Sequence, residues 1–564
     1  MFMNKYVLIL SLIIGVVLTS CNEYNVAHFK RMSYEGYEPY YDQLQPSDSM
    51  YLNPILSGSH PEPSVCRVGG TYYMVTASLT QYPSLPVYSS NDLVTWYHLG
   101  HAVNCLDFEA QDMTEGIHSP TIRYNKYNKY YYIIANDLGG CGTFIVKTTD
   151  PNVGWSGPIF LPQIDGTDPS IFIGKGGKVY IISCNEATHG SPRWKGHRSI
   201  RMHMYDTKND SIVGTSRILV DGGLNKGKHP TLKSPKMFRG GSKYYLMFSE
   251  CYPDGVCKEV MYESRNVTGP FKPCEVNPVF EQEAIYDDEQ FSMSFAGHAD
   301  VVDTEDGNYW AVVSGCRPMA QNRYMAGMET FLLPANITQT GQPVIMRAPD
   351  RVPVIVHKQD LDIVAQREYM SGNIDFEYRF DKGRLPRYFD LLRKSEVPFY
   401  DLKNNQLNLS LLPTSVDSMS ALSFVSRRIQ HKYFAAETEL DFVPTSSNEL
   451  AGLIVERDER NYSVLGITYK AGIKTVVVAT VEAGVKSIIA ELPISSLDAI
   501  TLRILSDGRN LSFEVNDASQ TKELCKLPLM HLTTDDVSDF SAAFVAMYAT
   551  SNWEIKSSKC IIHN

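Results

Sequence analysis

The sequence predicts an all-β protein, a five-bladed β-propeller followed by a β-sandwich. Three observations predict it. A unit of a small residue or carboxylate, usually a proline, an apolar stretch, a polar turn and a Tyr-rich strand recurs five times between residues 60 and 315. After residue 370 the pattern changes to short alternating strands, and the composition, 43% hydrophobic and 20% charged over 564 residues, is that of a globular chain long enough for two large cores.

The copies are Pro61-Glu62-Pro63-Ser64 before Tyr72-Tyr73, Ser119-Pro120 before Tyr130-Tyr131-Tyr132, Asp168-Pro169-Ser170 before Val179-Tyr180, Ser234-Pro235 before Tyr244-Tyr245, and His298-Ala299-Asp300 before Tyr309-Trp310. Each is one antiparallel unit that cannot bury its own face, so the five stack radially and their starts converge on a central funnel. Function is expected there, although such a fold serves binding as well as catalysis.

Flanking segments are assigned by composition. Lys5, the apolar run Tyr6 to Leu18 and Leu18-Thr19-Ser20-Cys21 read as a targeting segment over 1–20, too short and too sharply ended for a membrane helix. Residues 21–48 are polar and Tyr-rich and read as a tether. The propeller is expected over 49–345, a proline-bearing crossover over 346–369, and the sandwich over 370–564, with strands at Gln406–Leu411, Ala435–Phe442, Glu449–Glu456, Val464–Tyr469, Thr475–Thr480, Ile500–Leu505 and Ala542–Tyr548.

Charge and cysteines narrow the function classes. With 52 basic and 63 acidic residues the net charge is −11, which gives no basic field for nucleic acid and no polybasic membrane patch. Cysteine spacing shows no Cys-x-x-Cys and no zinc pattern. Cys251 and Cys257 stand close enough to close a small loop, whereas scattered strand cysteines are commonly free and buried.

Asn53-Pro54-Ile55-Leu56, His60-Pro61-Glu62-Pro63-Ser64, Ser119-Pro120-Thr121-Ile122-Arg123-Tyr124, Asp168-Pro169-Ser170-Ile171-Phe172, Gly196-His197-Arg198-Ser199-Ile200 and Gly327-Met328-Glu329-Thr330-Phe331 resemble glycoside hydrolase family 43. Ser426-Arg427-Arg428-Ile429-Gln430-His431 and Ala451-Gly452-Leu453 resemble its C-terminal concanavalin-like sandwich. The resemblance implies a glycosidase of the β-xylosidase or α-L-arabinofuranosidase kind. Its substrate would be oligosaccharide or polysaccharide, and it would act by inversion through a base in the first blade, an acid in the fourth and an auxiliary Asp in the third. Cys21 resembles the lipidated cysteine of a bacterial lipoprotein. That implies export and a membrane held through the lipid anchor only, at the periplasm or cell surface.

Carried over residue by residue, Asp168 matches the auxiliary Asp, and Glu62 stands at the base with one methylene more than the family's Asp. Lys233 stands where the acid Glu is expected. A lysine ammonium is a poor proton donor at neutral pH, and pairing with Asp168 would remove the repulsion that makes a good acid. Glu250 is the replacement candidate for the acid. Tyr82 is read as an aromatic rim for sugar, and His197 and Arg198 as an active-site loop pair. His298 is read as the fifth-blade axial residue, which in some members ligates calcium or sodium through water. No cofactor is required by this chemistry, and an axial ion would be structural. Met328 replaces an expected Arg. Two readings follow: a glycosidase with an altered acid/base pair, and a catalytically degenerate lipoprotein of the same fold that binds glycans.

Overall fold

The computed structural model describes residues 24–553, except 44–48, 105–115, 188–191, 254, 283–292, 319–322, 348–349, 360, 362–369, 419, 497, 518–519 and 536–539. The leader and Cys21 lie outside the described residues.

Five four-stranded antiparallel sheets follow one another along the chain. The first strands of the blades are Ser64–Val68, Ile117–Asn125, Thr167–Ile173, Thr231–Gly240 and Ser294–Asp303, and each pairs with the Tyr-rich second strand that the repeat announces. Blades one, two and five meet at the buried Asp300 carboxylate of the fifth, to which Ser64 Oγ of the first and Arg123 of the second both donate. The ring is thus closed by an ionic layer on the axis rather than by a shared strand.

One backbone device recurs in every blade. Glu62, Ser119, Asp168, Ser234 and His298 occupy equivalent positions, and all five have left-handed φ, between 50° and 53°. In blades two to five the ladder register slips at this point, as a bulge does. A non-glycine residue held at such a φ costs on the order of 1–3 kcal/mol. Five repetitions at one level of the funnel mark the place where the fold stores strain to aim side chains inward.

The second domain is a sandwich of two eight-stranded sheets. Strands Gln406–Ser410, Tyr433–Asp441, Leu450–Asp458, Asn461–Lys470, Ile473–Glu482, Ile500–Asp507 and Phe544–Thr550 lie where the alternation places them. The core between the sheets includes Phe434, Leu440, Leu453, Leu465, Leu502 and Met547.

The tether reading is corrected. Val26–Tyr37 is a twelve-residue strand inside the sandwich, paired with Gln406–Ser410 and Ile374–Tyr378 on one side and Tyr433–Asp441 on the other. Ala27, Phe29, Met32 and Tyr34 enter the core. A bulge between Phe29 and Arg31 shifts the buried parity by one residue, which hides the period of two.

The two domains interlock. Gln81–Tyr82 of the propeller adds an edge strand to the sandwich by pairing with Asp390–Leu392. Arg428 donates through Nε to the Ser59 carbonyl at 2.7 Å and binds Asp390, both ends buried. Arg427 stays inside the sandwich with its guanidinium 4.4 Å from the Phe376 ring and 4.7 Å from Tyr34. The Ser426–His431 motif therefore joins core to interface.

Candidate active site

At the mouth of the funnel a pocket of about 260 Å³ is lined by Glu62, His118, Ser119, Asn136, Leu138, Thr167, Asp168, Arg198, Lys233, His298 and Phe540. Four of the five left-handed residues are in this set, and the fifth, Ser234, reaches it through His298, whose Nδ1 is 2.5 Å from Ser234 Oγ. Lys233 is one residue earlier than the equivalent position, level with His118 and Thr167.

Glu62 is buried and surrounded by donors. Ser119 N–H donates to Oε2 at 2.7 Å and Ser119 Oγ to Oε1 at 2.9 Å. His298 Nδ1 lies 3.2 Å from Oε1 and His118 Nδ1 3.6 Å from Oε2. Burial alone would raise this carboxyl, but the hydrogen bonds and charge of His118 and His298 outweigh it and hold the group well below the ordinary carboxylate range. Glu62 is thus an ionised side chain with little lone-pair capacity left for water.

Ser119 Oγ is also 2.9 Å from Asp168 Oδ1. Two such contacts through one oxygen hold the nearest Glu62 and Asp168 carboxylate oxygens within twice that distance of each other. Arg198 sits 3.7 Å from Asp168 Oδ2 and donates to Thr167 Oγ1 at 3.0 Å. The cation beside Asp168 is therefore Arg198, and the pairing expected of Lys233 is not made.

Glu62, Asp168, Lys233, Arg198 and His298 are brought together as read from sequence, and three readings are corrected. Glu250 is fully buried behind the pocket, where it accepts the Leu224 N–H and the Tyr252 hydroxyl. Burial pushes its carboxyl up, yet it reaches no pocket surface. Gly223, at φ +75°, passes so close that a Cβ there would meet Glu250 Oε1 at 2.3 Å, so this carboxylate anchors the 222–225 turn. Tyr82 is held by the sandwich edge strand, its hydroxyl donating to the Asn104 carbonyl, away from the pocket. His197 is buried against Trp194 and bound to Asp221 at 3.0 Å, which leaves only its neighbour Arg198 to face the ligand.

Sequence reasoning missed His118, Asn136 and Phe540. Phe540 comes from the sandwich and presents its ring edge-on to His118 and His298, with centroids 5.5 and 5.9 Å away. It lies outside every blade motif, so nothing local announces it. Beneath the pocket, Lys236 donates to Thr121 Oγ1 at 2.7 Å and Arg123 binds Asp300. At His298, Nδ1 is engaged by Ser234 and Glu62, and among the described residues no three His, Cys, Asp or Glu side chains are grouped to hold a metal directly. The Cys251–Cys257 disulfide is formed, with Cα atoms 4.0 Å apart.

Residues 51–343 match the model of the glycosyl hydrolases family 43, and residues 377–561 match the beta xylosidase C-terminal concanavalin A-like domain. The chain is similar to a non-reducing end α-L-arabinofuranosidase of Bacteroides ovatus, 29% identical over 523 residues that cover 89% of this chain and 92% of the relative. It is also 29% identical to a xylosidase/arabinosidase of Butyrivibrio fibrisolvens over 519 residues, 90% and 97% of the two chains. A solved GH43_12 protein retrieved from the capybara gut metagenome superimposes with a TM-score of 0.85 at 28% identity, over 93% of this chain and 100% of the other. With that likeness running through both domains, the chain belongs to the glycosyl hydrolases of family 43.

Proposed function

We propose that the protein is an exo-acting, inverting glycosidase that removes a terminal xylosyl- or arabinofuranosyl-like residue from a polysaccharide or oligosaccharide side chain, with an altered acid/base pair. The observation that carries this is the pocket itself. At about 260 Å³ and walled by Phe540, it falls just under the ~300 Å³ at which pockets for larger ligands begin, and suits one sugar ring at a chain end.

In this reading Glu62 orients and deprotonates the attacking water once that water displaces one of its donors, and Asp168 with Arg198 holds the sugar. Lys233 gives the leaving oxygen no carboxylic proton. Cleavage is then fast only where the leaving group needs little protonation, since proton donation contributes typically about 10²–10⁴-fold. A second reading, glycan binding without cleavage, is favoured by the crowding of Glu62 and by the fact that Glu62 and Asp168 are the carboxyl groups lining the pocket among the described residues.

Activity on aryl pentosides and on natural oligosaccharides separates the two. Wild type should cleave the aryl substrates, Glu62→Gln should abolish this, and Lys233→Glu should raise rates on natural substrates by about 10²-fold or more. No turnover by wild type or by Lys233→Glu, with calorimetric binding that Asp168→Ala weakens, would establish the binding reading instead. Hydrolysis undiminished in Glu62→Gln would sink the role of Glu62. The leader-like sequence, Lys5 with the apolar run Tyr6 to Leu18 and Leu18-Thr19-Ser20-Cys21, supports membrane anchoring through Cys21, and Cys21→Ala should then move the protein to the soluble fraction.

A further inference from the structure

Every charged group of the funnel except Lys233 has its partner within the site. Glu62 is taken by Ser119, His118 and His298, Asp168 by Ser119 and Arg198, and Arg198 by Asp168 and Thr167. Beneath them Arg123 is bound to Asp300, and Lys236 donates to Thr121. Glu259, buried behind His298 and not lining the pocket, accepts the Ser249 hydroxyl. Among the described residues, no carboxylate lies within 4.0 Å of Lys233 Nζ. Lys233 nevertheless lines the pocket and is half-buried.

Of the four cations Arg123, Arg198, Lys233 and Lys236, only Lys233 makes no side-chain hydrogen bond or ion pair with another described residue. An ammonium that has given up part of its hydration without a counter-charge is unfavourable until an anion arrives. Its place is also specific. It lies one residue before Ser234 on the first strand of the fourth blade, on the wall of the pocket that Arg198 also lines.

We propose that the pocket takes an acidic glycan, whose anionic group next to the glycosidic bond pairs with Lys233 Nζ. This rests on the reading of the pocket as a glycan site and deepens it by naming the substrate class. The shared chemistry is a sugar-borne anion, either a uronate carboxylate or a sulfate ester, and a charge-assisted contact with such a group is roughly twice as strong as a neutral one.

The test is calorimetric titration of the full mature chain at low salt. The ligands are a glucuronate-substituted xylotriose and a digalacturonate, each beside its carboxyl-reduced counterpart, and a sulfated xylotriose beside the unsulfated sugar. At least one acidic ligand should bind about tenfold or more tighter than its neutral counterpart. The advantage should narrow as salt rises, vanish in Lys233→Met and persist in Lys233→Arg. Preference for the uronates or for the sulfated sugar tells which anion is the source. Acidic and neutral ligands binding alike, an advantage that survives Lys233→Met, or no binding by any ligand would overturn the proposal. Tight binding of an acidic ligand without turnover would sink the hydrolase reading and leave this one standing. Cleavage of neutral sugars with no anionic preference would do the reverse.

Discussion

Replacing Ser119 by alanine tests the electrostatics of the funnel directly. Ser119 Oγ lies 2.9 Å from both Glu62 Oε1 and Asp168 Oδ1, and its single hydrogen serves one of them at a time. A hydrogen bond to a charged group contributes roughly 1.5–3 kcal/mol, so its loss should raise the buried Glu62 carboxyl while the Ser119 backbone N–H remains. Glu62 has a depressed folded-state pKa. Its contribution to stability is therefore fully present above the unfolded carboxylate value and is lost as pH falls through the folded one. Ser119→Ala should cost about 1.5–3 kcal/mol near neutrality, and the gap to wild type should close once pH passes below the variant's own raised value. Thermal melts of the propeller transition between about pH 7 and about pH 3 measure this. A variant as stable as wild type at neutrality, or a gap that widens as pH falls, would refute the reasoning.

Phe540→Ala removes the ring edge from His118 and His298; aromatic contacts of this kind contribute about 0.5–1.5 kcal/mol, so KM for an aryl pentoside should rise about 2–12-fold with a smaller change in kcat. Glu250→Gln should leave hydrolysis within about threefold of wild type but loosen the 222–225 turn, seen as a cost of about 1–3 kcal/mol in unfolding; loss of activity at full stability would show that Glu250 acts in the pocket. Deleting residues 24–38 should abolish the cooperative transition of the sandwich, and a 370–564 fragment should fold, by circular dichroism, only when a peptide of residues 24–38 is added.

The propeller was legible because its period recurs five times, and the inward residues Glu62, Asp168 and His298 sit at the same place in each copy. The left-handed backbone that aims them was not, because no glycine marks it. Glu250 fails on parity. Lys233 pairs with Ser249, and a step of one residue along a strand turns Glu250 to the opposite face, toward the turn it anchors. Tyr82 and His197 escape a local reading because their partners, Leu391 and Asp221, lie on a strand of the other domain and at the end of the third blade's outer strand. Phe540 shows the same limit from the other side, since a residue that acts across a domain boundary carries no local pattern.

The strand at Val26–Tyr37 changes how the whole chain is counted. Seen from the sandwich, the propeller is an insertion of several hundred residues between the first strand of a sheet and its neighbours. Loop-closure entropy grows only logarithmically with length, and a folded propeller shortens the effective loop further by bringing its two ends together at the paired Met50–Leu52 and Ile355–His357. Synthesis order then dictates assembly order: the Val26–Tyr37 strand emerges before the propeller, has no sheet to join, and must stay unpaired until its partners between residues 374 and 441 are made. That unpaired edge is the aggregation hazard of this fold during biogenesis, and it lies in a segment that composition alone would discard as a spacer.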